Sequence, residues 1–193
     1  MPRPKSFDPD TVLTKAMGVF WEKGYDAASI SDLTAAMGIN RFSLYDTFGD
    51  KHELYLKALD AYTQSVVEPM IQKINAISTL DELQAYFSMM IDAQHACTCS
   101  PCCMMHKAAI SQAPSDEATR KRVECARNRV HTALCDALTR IKSTGQLRAD
   151  INIVDAAWIL KITLAGLASY ATSPIPAPQA KAALHLLLDS IHA

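Results

Sequence analysis

The sequence has no run of alternating apolar and polar β-branched residues, which is the mark of a half-buried strand. It also has no long uninterrupted apolar segment. The longest, Ala156 to Ala171, is broken by Lys161 and is shorter than the roughly 18 residues of a membrane span. It reads as a buried helix, and no membrane partner is expected. The N-terminus, Met1-Pro-Arg-Pro-Lys5, carries no apolar h-region of a secretory signal, so the cytoplasm is the expected compartment. Glycine is scarce, at 6 residues, and no glycine-rich phosphate loop, nucleophile elbow or H-E-x-x-H zinc motif occurs. Low-complexity segments and internal repeats are absent. Charge of one sign is not in excess either: 19 Lys or Arg stand against 20 Asp or Glu.

What remains is a helical chain. With 49% apolar and 20% charged residues over 193 positions, the composition is that of a soluble globular protein with one or two compact units. Apolar residues recur at helical spacing nearly throughout, and the predicted fold class is all-α. A first helix is expected to start with Asp8 as N-cap and Pro9 in its first position, and to stop at Gly24. A second starts at the capping box Ser29-Ile-Ser-Asp32 and ends at Gly38. A third follows Asn40 as cap and covers Arg41 to Phe48. The box Asp50-Lys-His-Glu53 opens a long helix that Pro69 is expected to kink or interrupt. After Thr79-Leu-Asp-Glu82 a fifth helix runs to Ala96, and Pro114-Ser115 introduces a long charged helix ending near Gly145. Helices from Val154 to Ala171 and from Pro178 to His192 complete the chain, separated by Pro174 and Pro176.

The sharpest local signal is a pair of short helices joined at "AAMGINRFSLY" with glycine in the turn. Glycine supplies the backbone freedom of a helix-turn-helix, and Leu33, Met37, Ile39 and Leu44 are the inward residues that fix the angle. The second helix then presents Asn40, Arg41, Phe42, Ser43 and Tyr45, a surface suited to the major groove of DNA. A helical hairpin in an ordinary bundle satisfies the same spacing.

Residues 20 to 59, "FWEKGYDAASISDLTAAMGINRFSLYDTFGDKHELYLKAL", resemble the N-terminal domain of the tetracycline-repressor (TetR) family of bacterial transcription regulators. The resemblance lies in Gly24-Tyr25, the capping Ser29, the turn Met37-Gly38-Ile39, Ser43-Leu44-Tyr45, Phe48, and Lys51 with Leu54. It implies a helix-turn-helix domain over residues 1–50 and a helical effector-binding and dimerisation domain over 51–193. It further implies a homodimeric regulator of double-stranded operator DNA, a repressor released by a small-molecule or metal effector, with no enzymatic activity and no required cofactor. Tyr45, Thr47 and Lys51 would hold phosphates, with Ser29 and Ser31 contributing from the second helix. Arg41, Phe42 and Ser43 would approach base edges. Arg3 and Lys5 resemble the basic arms that some members lay in a minor groove. Phe42 departs from the small residue or proline usual at its place, and Asp46 puts a carboxylate near the backbone.

Residues 1 to 51 carry six Lys or Arg and seven Asp or Glu, a net −1. Affinity must therefore come from a few placed cations, helix termini and duplication in a dimer. The basic face Arg120-Lys-Arg122, Arg127 and Arg129 is expected to be solvated, with Glu117 and Glu124 as partners. Trp158, Ile159, Ile162, Leu164 and Leu167, with Leu184, Leu186, Leu187, Leu188 and Ile191, exceed one core-facing stripe, and a second buried face is implied.

Four of the six cysteines fall in "HACTCSPCCMMH", between His95 and His106. Cys97, Cys99, Cys102 and Cys103 admit three uses. Thiolates with Met or His suit a soft metal ion, Cu(I), As(III) or Hg(II), or four ligands suit Zn(II). Cys99-Ser-Pro-Cys102 is a C-x-x-C pair suited to a redox or electrophile switch. The same side chains suit packing beside a pocket for an apolar effector. A thiol-disulfide enzyme is the contrasting class, but its C-x-x-C sits at a strand-to-helix junction and no strand is predicted. Cys125 and Cys135 are expected in the core.

Overall fold

The computed structural model describes residues 7–96, 103–169 and 175–193. Among them lie ten α-helices: α1 (Pro9–Lys23), α2 (Ile30–Met37), α3 (Arg41–Phe48), α4 (Lys51–Tyr62), α5 (Glu68–Ala76), α6 (Leu80–Ala96), α7 (Met104–Ser111), α8 (Glu117–Ser143), α9 (Ile153–Ser169) and α10 (Ala177–Ile191). The described residues form no strand beyond one isolated bridge, Leu147 to His192. The fold is all-α.

The helix starts follow from side-chain caps. Asp8 accepts the Thr11 amide at 2.9 Å, with Pro9 in the first turn where its missing N–H costs nothing. Ser29 and Asp32 close a reciprocal capping box on α2, as Asp50 and Glu53 do on α4. Asn40 Oδ1 accepts the Ser43 amide at 2.8 Å and so caps α3. Thr79 and Glu82 exchange hydrogen bonds at the start of α6. Two turns need glycine. Gly38 ends α2 with φ 70° and ψ 28°, the left-handed conformation that reverses the chain toward α3. Gly49 has φ 80° and ψ −139°, and a Cβ there would overlap the Glu53 carboxylate that returns to the Asp50 amide.

The expected interruption of the long helix is real, but it lies before Pro69. Thr63–Val67 forms a π-helical turn, and α5 restarts with Pro69 in its first turn. Proline lacks the amide that would continue the ladder, and the widened turn absorbs the loss upstream. One helix was not foreseen: α7, directly after the cysteine stretch.

The described residues divide into two compact units. One contains α1 to α4, α7 and the first turns of α8. Its core is Val12, Ala16, Met17 and Phe20 of α1 against Leu33, Met37, Leu44, Phe48, Leu54, Ala58 and Leu59, all buried. Phe20 meets Tyr55 edge-on at 5.1 Å, and Trp21 meets Tyr62 in the same way at 5.1 Å. Burial pushes the Tyr55 hydroxyl up to about 12.

The other unit contains α5, α6, the rest of α8, α9 and α10. Ile74, Leu83, Phe87 and Ile91 pack with Leu134, Leu138, Ile141, Leu160, Leu184 and Leu188. Arg140 donates to the carbonyls of Ile77 and Ile74, closing the end of α5. Within the single chain α9 is buried on one face only, and its remaining apolar residues are left outside. Ala156, Ala157 and Leu160 are inside, while Val154, Trp158, Ile159 and Ile162 are exposed. Cys125 is also not in the core: it is exposed, and Cys135 is half-buried. The buried stripe of this part of α8 runs through Ala126, Leu134, Ala137, Leu138 and Ile141, and Cys125 lies one position off it. The basic face of α8 is solvated as expected, with Arg120 paired to Glu117 and Glu124 and Lys121 to Glu117, and Arg122 and Arg129 pair in addition with Asp60 and Glu68.

No described helix is long and apolar enough to cross a membrane.

Candidate nucleic-acid interface

The two-turn helix α3 has two unlike faces. Leu44 and Phe48 are buried, and Arg41, Phe42, Tyr45 and Asp46 are exposed. At 100° per residue, Phe42 lies about 200° from Leu44, so it points opposite the anchor that fixes the helix. It is 79% exposed, and Tyr45 is 44% exposed. Ser43 is half-buried, and its amide is used by the Asn40 cap. Ile39, expected inward, is half-buried.

Ser29 and Ser31 are both exposed at the start of α2. The Ser29 hydroxyl is occupied internally, donating to Asp32 at 2.7 Å and accepting the Asp32 amide at 3.0 Å. Lys23 reaches the same carboxylate at 2.6 Å, and the hydrogen bonds from Lys23 and Ser29 hold Asp32 well below the usual carboxylate range. The first amides of α2 have no intrahelical acceptor, as at any helix start, and of these the Asp32 amide is taken by the Ser29 hydroxyl.

Lys51 opens α4 and lies 4.5 Å from the centre of the Tyr25 ring. Lys51 is half-buried, and it is its ammonium that stands over that ring. Thr47 is half-buried with its Oγ1 shielded and unpaired. Arg3 and Lys5 lie outside the described residues.

Sequence reasoning missed Lys57. Its Nζ donates to the Phe48 carbonyl at 3.1 Å and lies 5.7 Å from the Phe48 ring centre, so it closes the C-terminal end of α3. No local pattern marks it, because the nine-residue separation becomes a contact only when α3 and α4 pack.

The segment after the cysteines is fastened into this same unit. Lys107 Nζ donates to the carbonyls of Trp21 at 2.7 Å and Glu22 at 3.1 Å, at the end of α1. Gln112 donates to Asp26 at 2.8 Å, and His52 reaches Asp116 at 3.0 Å. Hydrogen bonds from Thr119 and His52 hold the Asp116 carboxyl well below its ordinary range. Of the four cysteines singled out, Cys103 is described and is half-buried, and Cys97, Cys99 and Cys102 lie outside the described residues. Met104 and Met105 are buried, and His106 is half-buried. Among the described residues no three His, Cys, Asp or Glu side chains gather as metal ligands.

Residues 12–58, which hold α2 and α3, match the family model described as bacterial regulatory proteins, tetR family. Over 157 residues the chain is 31% identical to the uncharacterized HTH-type transcriptional regulator YezE of Bacillus subtilis (strain 168), an alignment covering 81% of each. The chain belongs to the TetR family. It is a DNA-binding transcription regulator and not an enzyme. Identity to the HTH-type transcriptional repressor ComR of Escherichia coli (strain K12) reaches 47% over 60 residues, 31% of this chain and 29% of ComR. A cysteine mutant of the TetR family transcriptional regulator CifR, complexed with 26bp double-strand operator DNA, has the same fold: TM-score 0.84 at 28% identity, covering 97% of this TetR-family chain and 99% of CifR.

Proposed function

We propose that this chain is a homodimeric repressor whose α3 reads operator DNA in the major groove and whose release is triggered at the Cys97–Cys103 segment. The observation that carries the DNA reading is the exposed surface of α3, where Arg41 in the first turn, Phe42 opposite Leu44 and Tyr45 beside it stand clear on a helix fixed by two buried anchors. Arg41 has the fork that reads guanine, Tyr45 and Lys51 suit phosphates, and the amide ends of α2 suit another. The two-fold arrangement is supported by the exposed Trp158, Ile159 and Ile162 of α9 and Leu186 of α10, apolar area that a second copy would cover. Such a regulator works in the cytoplasm, where its operator is.

The trigger assignment rests on chain order and bonding. Cys103 precedes α7 directly, and α7 is bonded through Lys107 to the end of α1 in the unit that holds α3. A thiol modified, oxidised or bound to a soft ion in that segment would bias the two arrangements of the DNA-binding unit through α7. The effector must prefer the arrangement that does not bind DNA. A second reading, with an apolar effector and cysteines that only pack, is favoured by the burial of Met104 and Met105.

The test is a gel shift with the intergenic DNA beside the gene, using the full chain, its Arg41→Ala and Tyr45→Ala variants, and a variant with Cys97, Cys99, Cys102 and Cys103 all changed to Ser. Loss of binding in the first two, with the fold intact, is expected. Release by copper, arsenite, mercury, peroxide or quinone in the wild type but not in the four-serine variant supports the thiol trigger. Full release of both by apolar compounds supports the second reading.

A further inference from the structure

Phe42 contributes nothing to the folded chain that accounts for it. At 79% exposure it is the most exposed large apolar side chain among the described residues. It stands on a helix whose interior contacts are made by Leu44 and Phe48. Isolated exposed apolar residues are ordinary on protein surfaces. This one sits at the centre of the face of α3 left open, with Tyr45 about 60° to one side and Asp46 about 40° to the other.

The chemistry of that face narrows what Phe42 can meet. A phenyl ring has no donor or acceptor, so it cannot read the hydrogen-bonding groups of the major groove, and the apolar group displayed there by ordinary DNA is the C5-methyl of thymine. Asp46, exposed beside it, repels phosphate, so this side of the helix is unsuited to a contact with the backbone. Arg41, on the other side, supplies the hydrogen bonds to a neighbouring purine. A two-turn helix capped by Asn40 holds these groups in fixed order.

We propose that Phe42 is a specificity-determining residue that packs its ring on a pyrimidine 5-methyl group, that of thymine, in each half of the operator. The inference rests on the reading of α3 as the helix that enters the major groove. It assigns sequence preference to a contact without hydrogen bonds, and the position has a requirement for T·A that an arginine contact would not give.

The test uses the full-length protein and the tightest duplex it selects from a randomised pool. Each thymine of one half-site is replaced in turn by deoxyuridine, which removes the 5-methyl and leaves the hydrogen-bonding edge unchanged. The wild type is expected to lose about fourfold in affinity at one or two positions, the worth of one buried methyl. Phe42→Ala is expected to bind the thymine duplex more weakly and to be indifferent to deoxyuridine at those positions. Its melting temperature should match the wild type, because the side chain is outside the core. Phe42→Leu should retain part of the preference. If wild type and Phe42→Ala lose the same factor at every deoxyuridine, the methyl is not read by Phe42 and the inference is overturned. If 5-methylcytosine in place of a half-site cytosine tightens wild-type binding but not that of Phe42→Ala, the methyl belongs to cytosine and the thymine assignment is overturned. Arg41→Ala and Tyr45→Ala on the same duplex check the underlying reading separately: their loss of binding, alongside additive deoxyuridine effects, would sink only the Phe42 contact.

Discussion

Lys107 Nζ lies 2.7 Å from the carbonyl oxygen of Trp21, joining α7 to the last turn of α1 across 86 residues of sequence. The ammonium meets the carbonyl end of a helix, where the backbone oxygens lack intrahelical donors and carry partial negative charge. Replacing it by methionine keeps the stem and removes the charge. We expect Lys107→Met to lower stability by about 1–2 kcal/mol, the range for a lost hydrogen bond to a charged group. Urea unfolding followed by tryptophan fluorescence reads it, since Trp21 sits at the contact. An unchanged midpoint would mean the bond is as well made by water.

Lys51 tests the phosphate assignment in a way independent of sequence. Lys51→Ala should weaken specific and unspecific duplexes by a similar factor and reduce the slope of log affinity against log salt by about 1. A variant that changes sequence preference instead would place Lys51 on a base.

The exposed apolar face of α9 and α10 predicts the assembly. Ile162 is 66% and Leu186 72% exposed, so a carboxylate at either is harmless to a lone chain and costly in an interface. Ile162→Glu and Leu186→Glu are expected to shift sedimentation toward monomer and to lower operator affinity, with unchanged helicity. A dimer that survives both changes rules this face out.

His95 predicts a pH dependence. Its Nδ1 lies 2.7 Å from the Ile91 carbonyl and its Nε2 2.6 Å from the Ile175 carbonyl. Carbonyls only accept, so both contacts are hydrogen bonds together only when the ring is charged, and they favour that form. The bonds to Ile91 and Ile175 raise its pKa, and of the nearby charges Asp92 reinforces the shift while Lys181, itself paired with Asp92, opposes it. A raised folded value means the contact is fully stabilising below the ordinary histidine pKa of about 6.5 and is lost as pH rises through the raised value. Thermal unfolding should therefore show a stability that falls across that interval. His95→Gln should flatten the fall, and an equally steep one in the variant would assign it to another group.

Much of the DNA-binding unit was readable because its instructions are local. Asp8, Ser29, Asn40 and Asp50 each cap the helix that follows them within three residues, and Gly38 turns the chain where a left-handed residue is required. Lys57, Lys107 and Gln112 were not readable as contacts, since their partners are brought near only by packing. The same holds for α7, where the dense sulfur drew attention away from a helical spacing of Met104, Met105 and Ala108. The expectation for Cys125 failed because residue type suggested burial where helical phase did not. In α9, the sequence showed an excess of apolar residues, but which of them a single chain leaves outside depends on where its neighbours stop.

Gly49 sets a limit on how the chain can vary. Its φ of 80° with ψ −139° is open to glycine alone, and the space a side chain would need is taken by Glu53. In a saturation library scored for repression, this column should be empty of tolerated alternatives, although Gly49 has no side chain and carries no charge. The exposed face of α3 beside it has no such constraint and is free to change in residue type, while the turn that joins α3 to α4 stays a single letter.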